Sequence, residues 1–258
     1  MTGSAATVTA GRWTPVVFGV AVLAVFTGIV EMLLRTGVLN RFIIPLPSEI
    51  VTSFPRLIVS EDILGHFLTT CRECFYAILL VALIGIPAGA VLHRARLLRA
   101  ATESWIAALA SAPLVLLYPL FLIIFGRSQA AIVTMGVIAG LPPVILKTIE
   151  GLGGTRRVLV EVGRSFNLSP WQLFAKIQLP AALPTIFVGL RLALIFSLIN
   201  IVGVEFLINY GGLGQIINDL AERYDLAGTY AAIGFVVLTS ILFFSVTEWI
   251  EGWLTPRS

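Results

Sequence analysis

Charge is scarce in this sequence, and what there is does not gather. Asp, Glu, Lys and Arg make up 12% of the 258 residues, against 58% hydrophobic ones. A water-soluble globule of this length needs more polar surface, so composition alone excludes one. The net charge is only +3. The basic residues are dispersed between apolar runs instead of forming a stripe with exposed aromatics, which removes nucleic acid from the candidate partners. Two cysteines, Cys71 and Cys74, are too few for a disulfide framework. They form C-x-x-C five residues after His66, with no second ligand pair to complete a tetrahedral metal site. No G-x-x-x-x-G-K-S/T phosphate loop occurs, and GLGGTRR at 151–157 lacks both the lysine placement and a preceding strand. Neither H-E-x-x-H nor G-x-S-x-G is present. The three aspartates, Asp62, Asp219 and Asp225, fall in segments predicted to lie outside the bilayer. No catalytic constellation, bound metal or bound cofactor is therefore expected of this chain.

What is there is long apolar runs. About 20 apolar residues cross roughly 30 Å of hydrocarbon, and six runs qualify, at about 15–34, 70–92, 104–126, 128–146, 184–209 and 226–247. The fold class is all-α integral membrane, one domain over 15–254, with a leader at 1–14 and a tail at 255–258. A signal peptide competes for the first run because Arg12 precedes it, but no small-x-small cleavage site follows. The second run carries Arg72 and Glu73 near its outer end and Pro87 within GIPAG, which predicts a bend. Pro113 and Pro119 predict a broken helix in the third. Residues 35–65 form an extramembrane connector with one short surface helix starting at Ser48, and 211–227 form an outer loop with a short helix.

Six spans put both termini on one side. If that side is the cytoplasm, 11 of the 17 basic residues lie inside and five outside, with Arg72 at the boundary. The positive-inside bias therefore favours cytoplasmic termini and a cytoplasmic 147–183 loop.

That loop holds the longest polar and amphipathic stretch, EVGRSFNLSPWQLFAKIQLP at 161–180. It reads as two short helices and a corner. Asn167 suits the corner, since Asn tolerates the left-handed conformation that ends helices. Ser169 is placed to cap a second helix, with Pro170 at its first position and Gln172 as reciprocal partner. This helix is expected to stop before Pro180 and to leave Trp171, Phe174 and Ile177 on one side, unburied.

In spacing the stretch resembles the EAA signature of permease subunits of ATP-binding-cassette (ABC) importers. Glu161 stands for the Glu, Val162 and Gly163 for the two Ala, Asn167 for the Gly, and Ile177, Leu179 and Pro180 fall at the expected distances. The resemblance extends to LPSE at 46–49, GIPAG at 85–89, GLR at 189–191 and GGLG at 211–214, and is nearest to the nitrate, aliphatic sulfonate and taurine permeases. It implies a type I importer permease fold of about six spans, in the bacterial inner membrane. It also implies a coupling helix in which Glu161, Gly163, Asn167, Ser169, Trp171, Phe174, Ile177, Leu179 and Pro180 engage an ATP-binding subunit. Two such subunits, using ATP and Mg, would serve a permease homodimer fed by an extracytoplasmic solute-binding protein. A helix lying on the lipid surface is the competing reading of Trp171 and Phe174.

Tyr118, Thr134, Ser197, Asn200 and Glu205 are candidate pathway residues, although single Ser and Thr in membrane helices usually bond to backbone or to a neighbouring helix. Glu205 either lines a watery outer gate with Asn200 and Asn209 or pairs with an arginine, because an acid inside a span costs about 2 to 3 kcal/mol otherwise. An ion-coupled secondary transporter using Glu205 is the alternative function. For the importer reading the solute menu is nitrate, sulfonates, taurine or a vitamin precursor.

Overall fold

The structure, a computed structural model, describes residues 14–254, and every described element is helical. Helix α1 (Thr14–Arg35) leads to the short amphipathic α2 (Pro47–Val59) and the long α3 (Ile63–Arg94). Helices α4 (Arg96–Ser111) and α5 (Tyr118–Phe125) are joined through a 3-10 turn at Leu114–Leu117. They are followed by α6 (Gln129–Gly153), α7 (Arg157–Ser165) and α8 (Pro170–Leu173). A π turn over Phe174–Gln178 carries α8 straight into α9 (Leu179–Ile208), and α10 (Gly212–Glu222) and α11 (Leu226–Leu254) follow.

Among the described residues, α1, α3, α6, the unbroken Pro170–Ile208 stretch and α11 are each long and apolar enough to cross a bilayer. Helices α4 and α5 supply a sixth crossing only as a broken span, bent by 91°. The corner falls at Ala112 and Pro113. Ala112 takes the extended conformation that a following proline imposes.

Helix α6 lies between α3 and α9 and packs against both. Lipid tails are as apolar as leucine, so helices in a bilayer associate through close backbone approach and polar contacts. Small residues make that approach possible. A Cβ at Gly140 would stand 2.7 Å from Ser197 Oγ and 2.9 Å from Val81 Cγ2, and one at Gly89 would stand 2.6 Å from Thr148 Cβ. Ala77, Val81, Ile132, Met135, Val144, Ala193 and Ile201 fill the seam. A separate cluster under the outer helices α2 and α10 joins Leu57, Ile63, Leu213, Ile216, Leu220 and Ala231. Ion pairs from Arg56 to Asp225 and from Arg223 to Glu61 tie this outer layer together.

Two local expectations are corrected. Helix α2 begins at Pro47 rather than Ser48. Leu46 is its N-cap residue, and its N–H donates to Glu49 Oε2 at 3.1 Å. Ser48 instead gives its N–H and hydroxyl to Glu31 of α1, at 3.1 and 2.8 Å, which accounts for an acid in the first apolar run. Nor does the chain leave helix before Pro180. Proline lacks an N–H and crowds the carbonyl four residues back, and the wider π turn accommodates that missing bond. The leader and tail expected at 1–14 and 255–258 lie outside the described residues, apart from Thr14 at the start of α1.

Overpacking a tight seam costs about 1–3 kcal/mol. Gly140→Val is therefore expected to lower the thermal midpoint of the detergent-purified chain by several degrees. Gly19→Val, at a position with nothing within 4 Å, is expected to leave it unchanged.

Candidate functional site

Two constellations stand at opposite ends of the bundle. At one end, α7 and α8 form the corner. Helix α7 ends in a Schellman motif: Leu168 N–H donates to Gly163 O at 3.2 Å and Asn167 N–H to Arg164 O at 2.9 Å, with Asn167 at φ 52°. Helix α8 starts with a capping box, Gln172 N–H to Ser169 Oγ at 3.3 Å and Ser169 N–H to Gln172 Oε1 at 3.0 Å. Gly163 lies where the two short helices cross. A Cβ there would be 2.5 Å from Ile177 Cδ1 and 2.6 Å from Leu173 Cδ1, so the small residue of the signature is a packing requirement.

The apolar faces divide differently from the sequence expectation. Trp171 is 68% exposed, but Phe174 is half-buried. It packs against Leu152, Ala182 and Ile186, with the Arg94 guanidinium 4.8 Å above its ring. Ile177 is turned inward against Gly163, and Leu179 packs in the same cluster as Phe174. Val158, Val162 and Phe166 are exposed as well, the last by 77% at the corner itself, while Trp171 lies beside Phe174, ring centroids 5.6 Å apart, and lines a groove with Arg94 of α3. Sequence reasoning missed the part played by Val158; its spacing of four from Val162 on one face of α7 was the available signal. Glu161 is exposed and accepts from Arg157 Nε at 2.8 Å on its own helix. Pro180 is exposed at the start of α9.

At the other end sits Glu205, 0% exposed. Neither sequence expectation for it holds. Its Oε1 accepts from Thr70 Oγ1 and its Oε2 from Gly214 N–H, both at 2.8 Å. Thr70 Oγ1 in turn accepts from Leu213 N–H at 2.9 Å. The carboxyl thus caps the start of α10, where free N–H groups and the helix dipole favour an acid. The GGLG stretch is glycine-rich because of it: a Cβ at Gly212 or Gly214 would run into Glu205, and Gly211 and Gly212 hold φ of 81° and 76°. A buried acid six to nine residues before three closely spaced glycines is the sequence signal that could have found this lock.

The remaining pathway candidates do not assemble around it. Ser197, fully buried, donates to Gly136 O at 2.7 Å and so joins α9 to α6. Asn200 Nδ2 donates to Phe196 O within α9. Tyr118 packs against the central core, and Thr134 is half-buried on α6. Glu205 also lies within hydrogen-bond reach of the buried Glu73 of α3. Cys71 and Cys74 are both free, and no group of three or more His, Cys, Asp or Glu converges among the described residues.

This chain belongs to the family of binding-protein-dependent transport system inner membrane components, which it matches over residues 82–258. It is 27% identical over 215 residues to a Bacillus subtilis protein described as an aliphatic sulfonates transport permease, SsuC. That match covers 83% of this chain and 78% of the relative. It is 33% identical over 167 residues to the Escherichia coli glycine betaine/proline betaine permease ProW, covering 64% of this chain and 47% of ProW. A chain of the inward-facing MetNI methionine ABC transporter superposes with a TM-score of 0.66 at 20% identity, over 79% of this chain and 99% of that one. The fold is that of a type I ABC importer permease, and the protein is a multi-pass inner-membrane permease component.

Hydrogen bonds to a charged group contribute about 1.5–3 kcal/mol each. Glu205→Ala is therefore expected to speed hydrogen exchange at the Leu213 and Gly214 amides at least tenfold, with α6 amides unchanged. Equal protection in the variant would refute the cap.

Proposed function

We propose that the chain forms the translocation pathway of an ATP-driven importer and docks an ATP-binding subunit through the α7–α8 corner. The observation that carries this is that Val158, Val162, Phe166 and Trp171 are all exposed on a corner fixed by a Schellman motif and a capping box. A helix that merely lay on lipid would have no need of a rigid two-helix corner, whereas a seat in a partner's groove does. The family membership supplies the partner class.

The corner shares its end of the bundle with Arg94, Arg96, Arg99, Lys147, Arg156, Arg157 and Arg164, and the positive-inside bias supports a cytoplasmic side for it and for both termini. ATP and Mg are then handled by the partner, and this chain is a non-catalytic transport subunit. One chain has one such corner. Two ATP-binding subunits therefore call for two copies of the permease, related by a two-fold axis along which solute passes. The opposite end, with α2, α10 and the Glu205 lock, faces the extracytoplasmic binding protein. The solute is small. The relatives are named for solutes as different as sulfonates and betaines, so its class rests on the residues of this chain and not on kinship.

Phe174 is half-buried against Leu152, Ala182 and Ile186, so substitution there perturbs packing as well as docking. The cleaner change is Trp171→Asp with Phe166→Asp, both on the exposed face. The pair is expected to abolish co-purification with the ATP-binding subunit and to reduce solute-stimulated ATP hydrolysis to background, while the chain still inserts and melts normally. Retained co-purification would overturn the docking assignment.

A further inference from the structure

A groove of about 340 Å³ lies between α3 and the turn that leads from α8 into α9. Pro87, Ala90 and Val91 line it from α3, and Trp171, Phe174 and Leu179 line it from the other side. One charged residue reaches it, Arg94, the last of α3. The Arg94 guanidinium lies 4.8 Å above the Phe174 ring, a contact that uses its flat face and leaves its N–H edge able to donate. Arg94 is exposed, and no carboxylate pairs with it among the described residues.

Depth decides what can enter. The apolar run of α3 ends at Leu92, so Pro87, Ala90 and Val91 stand at the level of the acyl chains and Arg94 just beyond them, at the level of the headgroups. From Ile86 to Arg94 the helix rises about 12 Å, most of one leaflet's share of a core roughly 30 Å thick. A water-soluble subunit seated on the corner does not reach into that depth. A second apolar helix would cover the carbon walls and bury Arg94 without a counter-ion, which is costly in a bilayer. A phospholipid matches both parts: an acyl chain covers the walls, and phosphate oxygens accept from the paired N–H groups of the guanidinium. Arg96 and Arg99 follow within five residues, and basic residues just past the cytoplasmic end of a span draw anionic lipid to that leaflet.

We propose that this groove binds one anionic phospholipid of the cytoplasmic leaflet, with an acyl chain against Ala90, Val91 and Leu179 and the phosphate on Arg94. The lipid then bridges α3 to the turn that opens α9. From the permease reading the inference takes only the cytoplasmic side of the corner; it does not depend on the ATP-binding subunit.

The test is native mass spectrometry of the detergent-purified full chain, titrated separately with phosphatidylglycerol and with phosphatidylcholine of the same acyl chains. The choline of the second lipid sets a positive charge beside the arginine. Phosphatidylglycerol is expected to fill one site at least fivefold more tightly than phosphatidylcholine. Arg94→Gln is expected to erase that preference and Arg94→Lys to keep most of it. Arg96→Gln, on a cation that lines a different cavity, is expected to leave it unchanged. Ala90→Phe, which fills the groove, is expected to weaken binding of both lipids. Equal binding of the two lipids, a preference that survives Arg94→Gln, or undiminished binding in Ala90→Phe would overturn the proposal. So would a preference lost in Arg96→Gln, the mark of diffuse surface charge. Adding the ATP-binding subunit separates the two readings. Lipid retained in the complex supports the site, whereas lipid displaced by the subunit makes the groove the subunit's seat and overturns it. A chain that recruits no subunit yet keeps the preference loses the docking assignment alone.

Discussion

A carboxyl group surrounded by lipid-embedded helices has to find its donors inside the protein, because no water is there to supply them. Glu205 finds them at the start of α10, one directly from Gly214 and one relayed by the Thr70 hydroxyl. Three elements are joined at a single buried point: α3 through Thr70, α9 through Glu205 and α10 through its free N–H groups. The outer layer inherits its position from this junction. Helix α10 brings Leu213, Ile216 and Leu220 down onto Leu57 and Ile63, and those in turn seat α2. The left-handed Asn209 and the paired positive-φ glycines are what the chain needs to turn back sharply enough for its own helix to be capped by the residue it has just passed.

The two ends of the bundle satisfy polar backbone in opposite ways. At the outer end, side chains from distant helices provide the caps. At the α7–α8 corner the caps come from within a few residues: Asn167, Ser169 and Gln172 close both helix termini without outside help. This independence lets the corner project beyond the bundle while staying rigid, and it leaves Trp171 and Phe166 free to present apolar area.

That difference also decides how much was legible in the sequence. The apolar runs, the break at Pro113, the left-handed Asn167 and the Ser169–Gln172 box are local events, encoded within a turn or two, and each could be read directly. Glu205 could not. Its hydroxyl partner lies 135 residues away, and distance in sequence hides distance in space. Ser197 likewise reads as a polar group available to a pathway until its 61-residue jump to the Gly136 carbonyl is seen. Phe174 and Trp171 are three positions apart, so helical spacing puts them on one side. Their rings do meet, with centroids 5.6 Å apart, but the Leu152 cluster and Arg94 of α3 cover Phe174 by half while Trp171 stays exposed.

Pro170–Ile208 is helical from end to end, about 39 residues at 1.5 Å each, or roughly 60 Å. Trp171 of the corner and Glu205 of the outer cap are therefore parts of one rod, with no loop between them to absorb displacement. A push sideways on the foot of such a rod is felt at its head as tilt. Slack is built in near its foot, at the π turn beside Pro180 and again at Pro184 inside α9, which makes that stretch the gearing of the whole molecule.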